Sequence, residues 1–468
     1  MPRRQKRPET VESTLMITVG LVSLGCAKNL VDSEVMLGAL RRGGYHITLD
    51  PEQADVVVVN TCGFLQAAKD EGYETIREMA RLKEDGRMRR LVVAGCMVQR
   101  FAAEMKAGLP EVDRFLGLND VEQVLKACDL SDEAFVPDLG PATYLPTDAS
   151  PRMLATTGAS AYLKISEGCD NPCAFCIIPK IRGAFRSRTI ESLAREAAVL
   201  SGAGVRELNL IAQDSTSYGS DIGETGGLPA LLRALDLVDG LRWIRILYAY
   251  PSKITTRLMD AMAECERVCE YIDIPLQHAS KRVLARMRRG GSRESFSRML
   301  HEFRRRMPGI SLRTTFIVGF PGETDEDLDE LLGFMEETRF DHVGVFTYSH
   351  EPGTAAFDLA DLVPPEVKQE RRGRIMELQQ GISLSKYTSR VGSTQEVLVD
   401  AGRKSPRGPF RARAAWQAPD IDGSVLVKTR RELPIGEFVR VKVTGAAPYD
   451  LHATLARSRG GAGDAADD

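Results

Sequence analysis

No stretch of this sequence approaches the ~18 consecutive apolar residues of a membrane span, so no membrane anchor is expected. The basic N-terminus, MPRRQKRPETVEST, also lacks an apolar core within signal-peptide reach. It reads as a disordered tail, and the cytoplasm is the expected compartment. Charge of one sign is missing too. With 62 Lys and Arg against 65 Asp and Glu, the net charge is −3. That balance argues against wholesale attraction to nucleic acid, while leaving room for a local basic module. The nine cysteines are an odd number in a large chain without an export signal. A disulfide framework is therefore not expected, and clustered thiols point to metal binding or catalysis.

What is present suits a soluble, multidomain protein. Hydrophobic residues make up 43% and charged residues 27%, enough to bury a sizeable core. A length of 468 residues sets a prior of about three domains. Over 15–130, TVGLVSL, DVVVVN and RLVVAG are buried-strand runs separated by helical patterns, implying a parallel sheet covered on both faces. Residues 131–158, rich in Pro, Asp, Thr and Ala, read as a linker. Across 159–387 the rhythm resumes in six strand candidates: AYLKIS, ELNLIA, WIRILYAY, YIDIPL, ISLRTTFIVG and HVGVFTY. These suggest a full or partial (β/α) barrel with its chemistry at the C-terminal strand ends, followed by a charged helix over 366–387. Over 388–457, EVLVD, FRARAAW, GSVLVKT and FVRVKVTG alternate with turns and suggest a small antiparallel β-barrel. A disordered tail is expected at 458–468. The fold class is thus α/β, with a β-barrel at the C-terminal end.

The densest chemical signal is C-x3-C-x2-C in SEGCDNPCAFCIIP, formed by Cys169, Cys173 and Cys176. Three thiolates this close can ligate three irons of a four-iron cluster and leave the fourth iron open. The alternative is a structural zinc knuckle, but zinc usually takes four protein ligands, and no His or fourth Cys lies within local reach. Three further features fall at predicted strand ends: Gln213–Asp214, Gln277–His278, and VGFPGET at 318–324. Gly319 and Gly322 could equally make a tight turn, and His278 could be a structural histidine.

A second constellation needs spatial inference. Cys26, Cys62 and Cys96 each follow a strand and precede a helix pattern. In a parallel sheet those positions share one edge, so the three thiols converge as candidate ligands of a second open-iron cluster. The alternative is three buried, inert cysteines. Cys265 and Cys269 read as i, i+4 on one helix face and are expected to pack in the core. Cys128 is expected to be structural, and the arginines at 288–289 and 304–306 read as solvated helix faces.

The cysteine triplet after the first strand of a β/α domain resembles the radical S-adenosylmethionine superfamily. Two cysteine triads, a radical domain and a terminal barrel in this order resemble its methylthiotransferases over 15–457. The resemblance implies two four-iron four-sulfur clusters and S-adenosylmethionine in two roles, methyl donor and radical source. One cofactor molecule methylates a sulfur on the N-terminal cluster. A second yields a 5′-deoxyadenosyl radical, and the substrate radical then takes the methylthio group. It further implies cofactor contacts at Phe175, Gln213, Gln277, Gly319 and Gly322, with Phe175 near the adenine, and a flavodoxin or ferredoxin type electron donor. A TRAM-like barrel would recognise a macromolecular substrate, and a monomer is expected.

VSLGCAKNLVDSE around Cys26 and QAPDIDGSV over 417–425 resemble the branch that modifies the β-carbon of an aspartate in ribosomal protein S-twelve, free or in the small ribosomal subunit. Ala27 departs from that branch, where Pro is common. The other branch modifies tRNA adenosine and carries Gln-Met-Asn after that Cys, where this chain has Ala27–Lys28–Asn29. One count points the other way. Residues 390–457 hold twelve Lys and Arg against seven Asp and Glu, a net +5, which suits RNA phosphates. A division of labour reconciles the two, with Asp420 and Asp422 giving a local acidic face and the basic residues meeting ribosomal RNA.

Overall fold

The computed structural model describes residues 16–131, 133–156 and 158–456; the tails expected at either end lie outside the described residues. The chain divides into two compact units, one of residues up to 63, 67–139 and 151–153, the other of the remainder.

The first unit is a five-stranded sheet of β1 (Thr18–Ser23), β2 (His46–Thr48), β3 (Val56–Thr61), β4 (Arg90–Gly95) and β5 (Arg114–Leu116). Its order is β2-β1-β3-β4-β5 and every pairing is parallel. All residues of β3 and β4 are buried, as the unbroken apolar runs require of strands covered on both faces. On one face Val57, Val59, Leu91 and Val93 pack with Ile76 and Met79 of α2 (Gln66–Glu84) and Met97 of α3 (Cys96–Gly108). The preceding helix, α1 (Ala27–Arg42), is buried almost throughout, Lys28, Asp32 and Glu34 included. Residues 151–153 strap across it. Arg152 pairs with Glu34 at 2.6 Å, and the Met153 N–H donates to the Glu34 carbonyl. A Cβ on Gly38 would meet the Pro151 and Arg152 backbone at 2.5 Å, so the strap needs glycine there. Beyond it, α4 (Val124–Cys128) ends on a buried Cys128, whose thiol burial pushes up to about 12.

The second unit opens with β6 (Ser160–Lys164) and a short ribbon, β7 (Ser166–Glu167) with β8 (Arg186–Ser187), that brackets α5 (Ile178–Arg182). β9 (Glu207–Ile211), β10 (Trp243–Ile246), β11 (Val268–Asp273), β12 (Ser311–Val318) and β13 (His342–Thr347) follow. With β6 they form one six-stranded sheet ordered β13-β12-β11-β10-β9-β6, the open, partial form of a (β/α) barrel. Helices α6 (Ile190–Gly202), α7 (Gly227–Asp236), α8 (Thr256–Glu264), α9 (Lys281–Arg286), α10 (Arg293–Arg306) and α11 (Asp325–Thr338) alternate with the strands. Leucines such as Leu231, Leu232, Leu300 and Leu331 fill the layer between helices and sheet.

Cys265 and Cys269 do not share a helix face. Cys265 caps α8 with extended backbone and Cys269 lies in β11, because the chain leaves the helix before the β-prone Val268–Tyr271 run. Both are buried, and burial pushes the Cys269 thiol up to about 11.

α12 (Pro365–Thr388) leads into a closed barrel of β14 (Thr394–Ala401), β15 (Phe410–Ala414), β16 (Val425–Lys428), β17 (Phe438–Ala446) and β18 (Leu451–Leu455), ordered β14-β15-β16-β18-β17. The barrel is mixed rather than purely antiparallel. β18, absent from the sequence expectation, inserts between β16 and β17 and runs parallel to β16. Its side chains, Leu-His-Ala-Thr-Leu, carry a weak strand signal and need both neighbours to define it.

This barrel is fastened to the starts of the parallel strands. Glu207, first in β9 and fully buried, accepts from Arg413 at 2.7 Å and Arg245 at 2.9 Å, and Arg413 also binds Asp400 at 2.8 Å. Burial works to raise the Glu207 carboxyl, but the guanidiniums of Arg413 and Arg245 outweigh it and hold it at about 2. Nearby, Tyr271 Oη donates to Asp422 at 2.8 Å, and the Trp416 carbonyl lies 3.0 Å from His342 Nε2. Asp422 is therefore not part of an acidic docking face: its side chain is 1% exposed and turned into the central domain, because Tyr271, Arg313 and His342 offer it partners there. Asp420 stays exposed. Among the described residues, no helix is long and apolar enough to cross a membrane.

Removing one member of a buried ionic cluster leaves its partners uncompensated. Glu207→Ala is expected to cost about 3–5 kcal/mol in denaturant unfolding. In the wild type, the contribution from this depressed carboxylate is complete above the ordinary glutamate value of 4.5 and is lost as pH falls towards about 2. The variant should lack that acid-side loss in a series of denaturation midpoints against pH.

Candidate functional site

Three adjacent strands of the first unit end together. The register pairs Ser23 with Asn60, Asn60 with Ala94, and Thr61 with Gly95. Cys62 and Cys96 thus follow matched positions on β3 and β4, while Cys26 caps the start of α1 just past β1. Glycine lets these backbones crowd. Gly25 has φ +88°, and a Cβ there would fall 2.6 Å from Cys62 Cβ and 3.1 Å from its Sγ. A Cβ on Gly63 would fall 3.0 Å from the Cys96 carbonyl oxygen. Cys96 is buried, Cys62 half-buried and Cys26 exposed.

Two asparagines brace this edge, and sequence reasoning missed both. Asn29 Nδ2 donates to the Leu24 carbonyl at 2.7 Å, and Asn60 Nδ2 donates to the Asn29 carbonyl at 3.0 Å and to Ser33 Oγ at 2.8 Å. The available signal was an amide placed inside the apolar run VVVVNT, where a buried polar side chain demands partners.

In the second unit, Cys169, Cys173 and Cys176 occupy the loop between β7 and α5, at the C-terminal side of the sheet. Gly168, at φ +79°, lies against the Ala184 and Gly183 carbonyls, too close for any side chain. The Cys169 N–H donates to Gly183 O at 3.2 Å, and the Cys176 N–H to Cys173 O at 3.1 Å, so the loop folds back on itself. Burial pushes the Cys176 thiol up to about 12, with smaller upward contributions from Cys173 and Cys169. Burial likewise raises Cys169. Asn171 Nδ2 bridges Cys169 Sγ at 3.3 Å and Asp214 at 2.8 Å, and Asp214 is further held by Lys253 at 2.8 Å.

The other sequence-marked residues surround this loop. Phe175 is half-buried against the cluster of Ala174, Val283, Met287, Phe320, Tyr348 and Ala356. Gln213 donates to Glu167, which also takes Lys164 and Arg182, while Gln213 Oε1 is buried without a hydrogen-bond partner. Gln277 extends β11, its N–H bonding Thr315 O and its carbonyl the Ile317 N–H. It does so at φ +72°, and its Oε1 is also buried and unbonded. A non-glycine residue held there marks a site whose surroundings over-determine the backbone. Gly319 (φ +70°) and Gly322 (φ +76°) do make a turn, and side chains on them would strike Lys368 and Arg286. His278 is fully buried, accepts the Ser280 N–H at Nδ1 and is depressed by burial to about 4, while its Nε2 is buried without a hydrogen-bond partner, 3.7 Å from Glu323. Arg289 departs from expectation. It is buried, not on a solvated face, and reaches Cys173 Sγ at 3.3 Å.

Residues 18–117 match the uncharacterized protein family UPF0004, residues 163–335 the Radical SAM superfamily and residues 391–455 the TRAM domain. A curated relative from Pelotomaculum thermopropionicum, named ribosomal protein uS12 methylthiotransferase RimO, is 50% identical over 93% of this chain and 98% of its own. Relatives of the same name from Heliobacterium modesticaldum and Anaeromyxobacter are 47% and 48% identical over 94% and 92% of this chain, and 95% and 91% of their own. The chain belongs to the RimO methylthiotransferase family. Among solved structures, the radical S-adenosylmethionine methyltransferase TsrM from Kitasatospora setae, with cobalamin and a [4Fe-4S] cluster bound, superposes with a TM-score of 0.52 at 14% identity. That match covers 82% of this chain and 77% of TsrM, and shows a shared fold.

Gly25→Ala tests the crowded edge of the RimO-like N-terminal unit. The new methyl group must displace Cys62 at a backbone angle alanine disfavours, costing more than about 1 kcal/mol. The variant should unfold at lower denaturant, and reconstitution should give about half the wild-type iron per chain.

Proposed function

We propose that this chain transfers a methylthio group to the β-carbon of an aspartate in ribosomal protein uS12. The observation that carries this reading is the paired donor set: three cysteines at matched ends of neighbouring parallel strands in one unit, and a C-x3-C-x2-C loop at strand ends in the other. Each set offers three thiolates, one fewer than a closed zinc site takes and the number that leaves one iron of a four-iron cluster open. Among the described residues, no three His, Cys, Asp or Glu side chains are already gathered at metal-ligand spacing. On this reading the thiols lose their protons and close on the metal as it binds. With two such clusters and S-adenosylmethionine bound, the chemistry supplied is a methylated sulfur and abstraction of a hydrogen atom from an unactivated carbon.

The chain's own residues have definite tasks under this proposal. Cys26, Cys62 and Cys96 hold the sulfur-bearing cluster, and Cys169, Cys173 and Cys176 the radical-generating one. The unbonded Oε1 atoms of Gln213 and Gln277 are acceptors for the amino or hydroxyl groups of S-adenosylmethionine. Phe175 offers a ring face, and the turn through Gly319 and Gly322 keeps the backbone low beside the cofactor. Arg411, Lys428, Arg440 and Lys442 lie exposed on strands of the terminal barrel, with Lys428 and Lys442 both opposite Thr454. Their charge supports contact with ribosomal RNA beside uS12. A flavodoxin or ferredoxin type donor, a monomeric state and a cytoplasmic setting complete the proposal.

Intact-mass analysis of uS12 from cells lacking this protein should show loss of the methylthio increment. Survival of that increment, with loss from a tRNA nucleoside instead, would refute the assignment in favour of tRNA adenosine. In vitro, Cys173→Ala should abolish release of 5′-deoxyadenosine. Cys62→Ala should retain that release, lose methylthiolation and carry about four irons where the wild type carries about eight.

A further inference from the structure

Arg289 sits where a tight turn reverses the chain after α9. Arg288 adopts φ +54°, a left-handed conformation few non-glycine residues take, and the Arg289 N–H closes the helix end on Leu284 O at 2.9 Å. The turn aims Arg289 inward until only 8% of it is exposed. Three contacts then fix the guanidinium. Nη2 donates to Pro275 O at 2.7 Å, Cζ lies 4.3 Å from the centroid of the Tyr250 ring, and Nη1 lies 3.3 Å from Cys173 Sγ. Tyr250 Oη is itself 3.9 Å from the same sulfur. The Ala174 N–H bonds Met287 O at 2.9 Å, tying the cysteine loop to this very turn. A guanidinium is a cation by its own chemistry, so the geometry sets a fixed positive charge and a directed N–H donor against one sulfur of the triad.

We propose that Arg289 is a positioning residue that sets the reduction potential of the cluster held by Cys169, Cys173 and Cys176. The inference rests on the reading of that triad as a cluster site. Hydrogen bonds to the sulfurs and nearby charge are the protein's levers on such potentials. One electron enters from the external donor, the cluster's charge becomes one unit more negative, and no bond or proton moves. A fixed cation favours that added charge, so Arg289 makes the reduced state easier to reach. Asp214, the carboxylate at the other end of the loop, is already compensated by Lys253 and by donors from Asn171, Thr216 and Ser217, leaving the Arg289 charge to act on the sulfur.

The test is an electron paramagnetic resonance redox titration of full-length protein without S-adenosylmethionine, in a Cys26/Cys62/Cys96→Ala background so that one cluster is titrated. Arg289→Gln should shift the one-electron equilibrium roughly tenfold towards the oxidised form, about 59 mV more negative. Arg289→Lys, which keeps the charge but loses the fixed fork, should fall between Gln and the parent. A loaded Arg289→Gln with the parent's potential overturns the inference. Weaker binding of S-adenosylmethionine at an unmoved potential does so too, since Arg289 would then serve the cofactor and not the cluster. Should only Gln fail to retain iron, Lys decides, and a potential equal to the parent's overturns the idea. Loss of iron from both variants makes Arg289 a folding residue and likewise overturns it. A parent that binds no iron overturns the reading of the triad itself, and the inference with it.

Discussion

Parallel strand pairing organises this molecule, because it forces every strand in a sheet to end on the same edge. A chain that alternates strand and helix therefore brings residues far apart in sequence to one rim without any local motif. In the first unit this places Cys26, Cys62 and Cys96 after three neighbouring strands, with Cys62 and Cys96 following register-paired residues and Cys26 three residues past the end of β1. The second unit uses the same rule for the three-cysteine loop, Gln213 and Gln277, which leave three different strands on the same side. Glycine completes the arrangement: at Gly63 and Gly168 the neighbouring backbone, and at Gly25 the Cys62 side chain, leaves no room for a side chain.

Most of that architecture was legible in sequence for a physical reason. Buried parallel strands are runs such as VVVVN and LVVAG, and their period and length separate them from helices. All six strands of the central sheet and the long helix before the terminal barrel could be seen this way. So could the cysteines, since a residue just past a strand end has its edge fixed once the sheet is known to be parallel. Side-chain partners were less readable. Asp422 looked like surface charge and is buried against Tyr271. Arg289 looked like half of a solvated pair and is drawn inward by a left-handed turn at Arg288. Both depend on contacts made across more than a hundred residues, which composition and periodicity do not encode. β18 was missed for a related reason: its strand character comes from its two neighbours in a closed barrel.

The two regions of the second unit use charge in different ways. At the starts of the strands Glu207, Arg245, Arg413 and Asp400 pair with one another, and the guanidiniums hold the Glu207 carboxyl low while burial leaves that of Asp400 raised. At the strand ends the polar groups are only partly satisfied, with unbonded oxygens on Gln213 and Gln277 and raised thiols at Cys169 and Cys176. Saturated polar networks rigidify, whereas incompletely satisfied ones retain capacity for a ligand.

The seating of the terminal barrel also bears on how freely this architecture can be rearranged. Small β-barrels are often treated as interchangeable modules, joined by linkers and added or dropped at will. Here the barrel supplies Arg413 to the glutamate that opens β9 of its neighbour, and Asp422 to a tyrosine two strands away. Cutting the chain after α12 would take Arg413 from Glu207 and the Ala415 carbonyl from Arg245. The central domain and the barrel belong to one compact unit, and any exchange of barrels between such proteins must carry both halves of this seam.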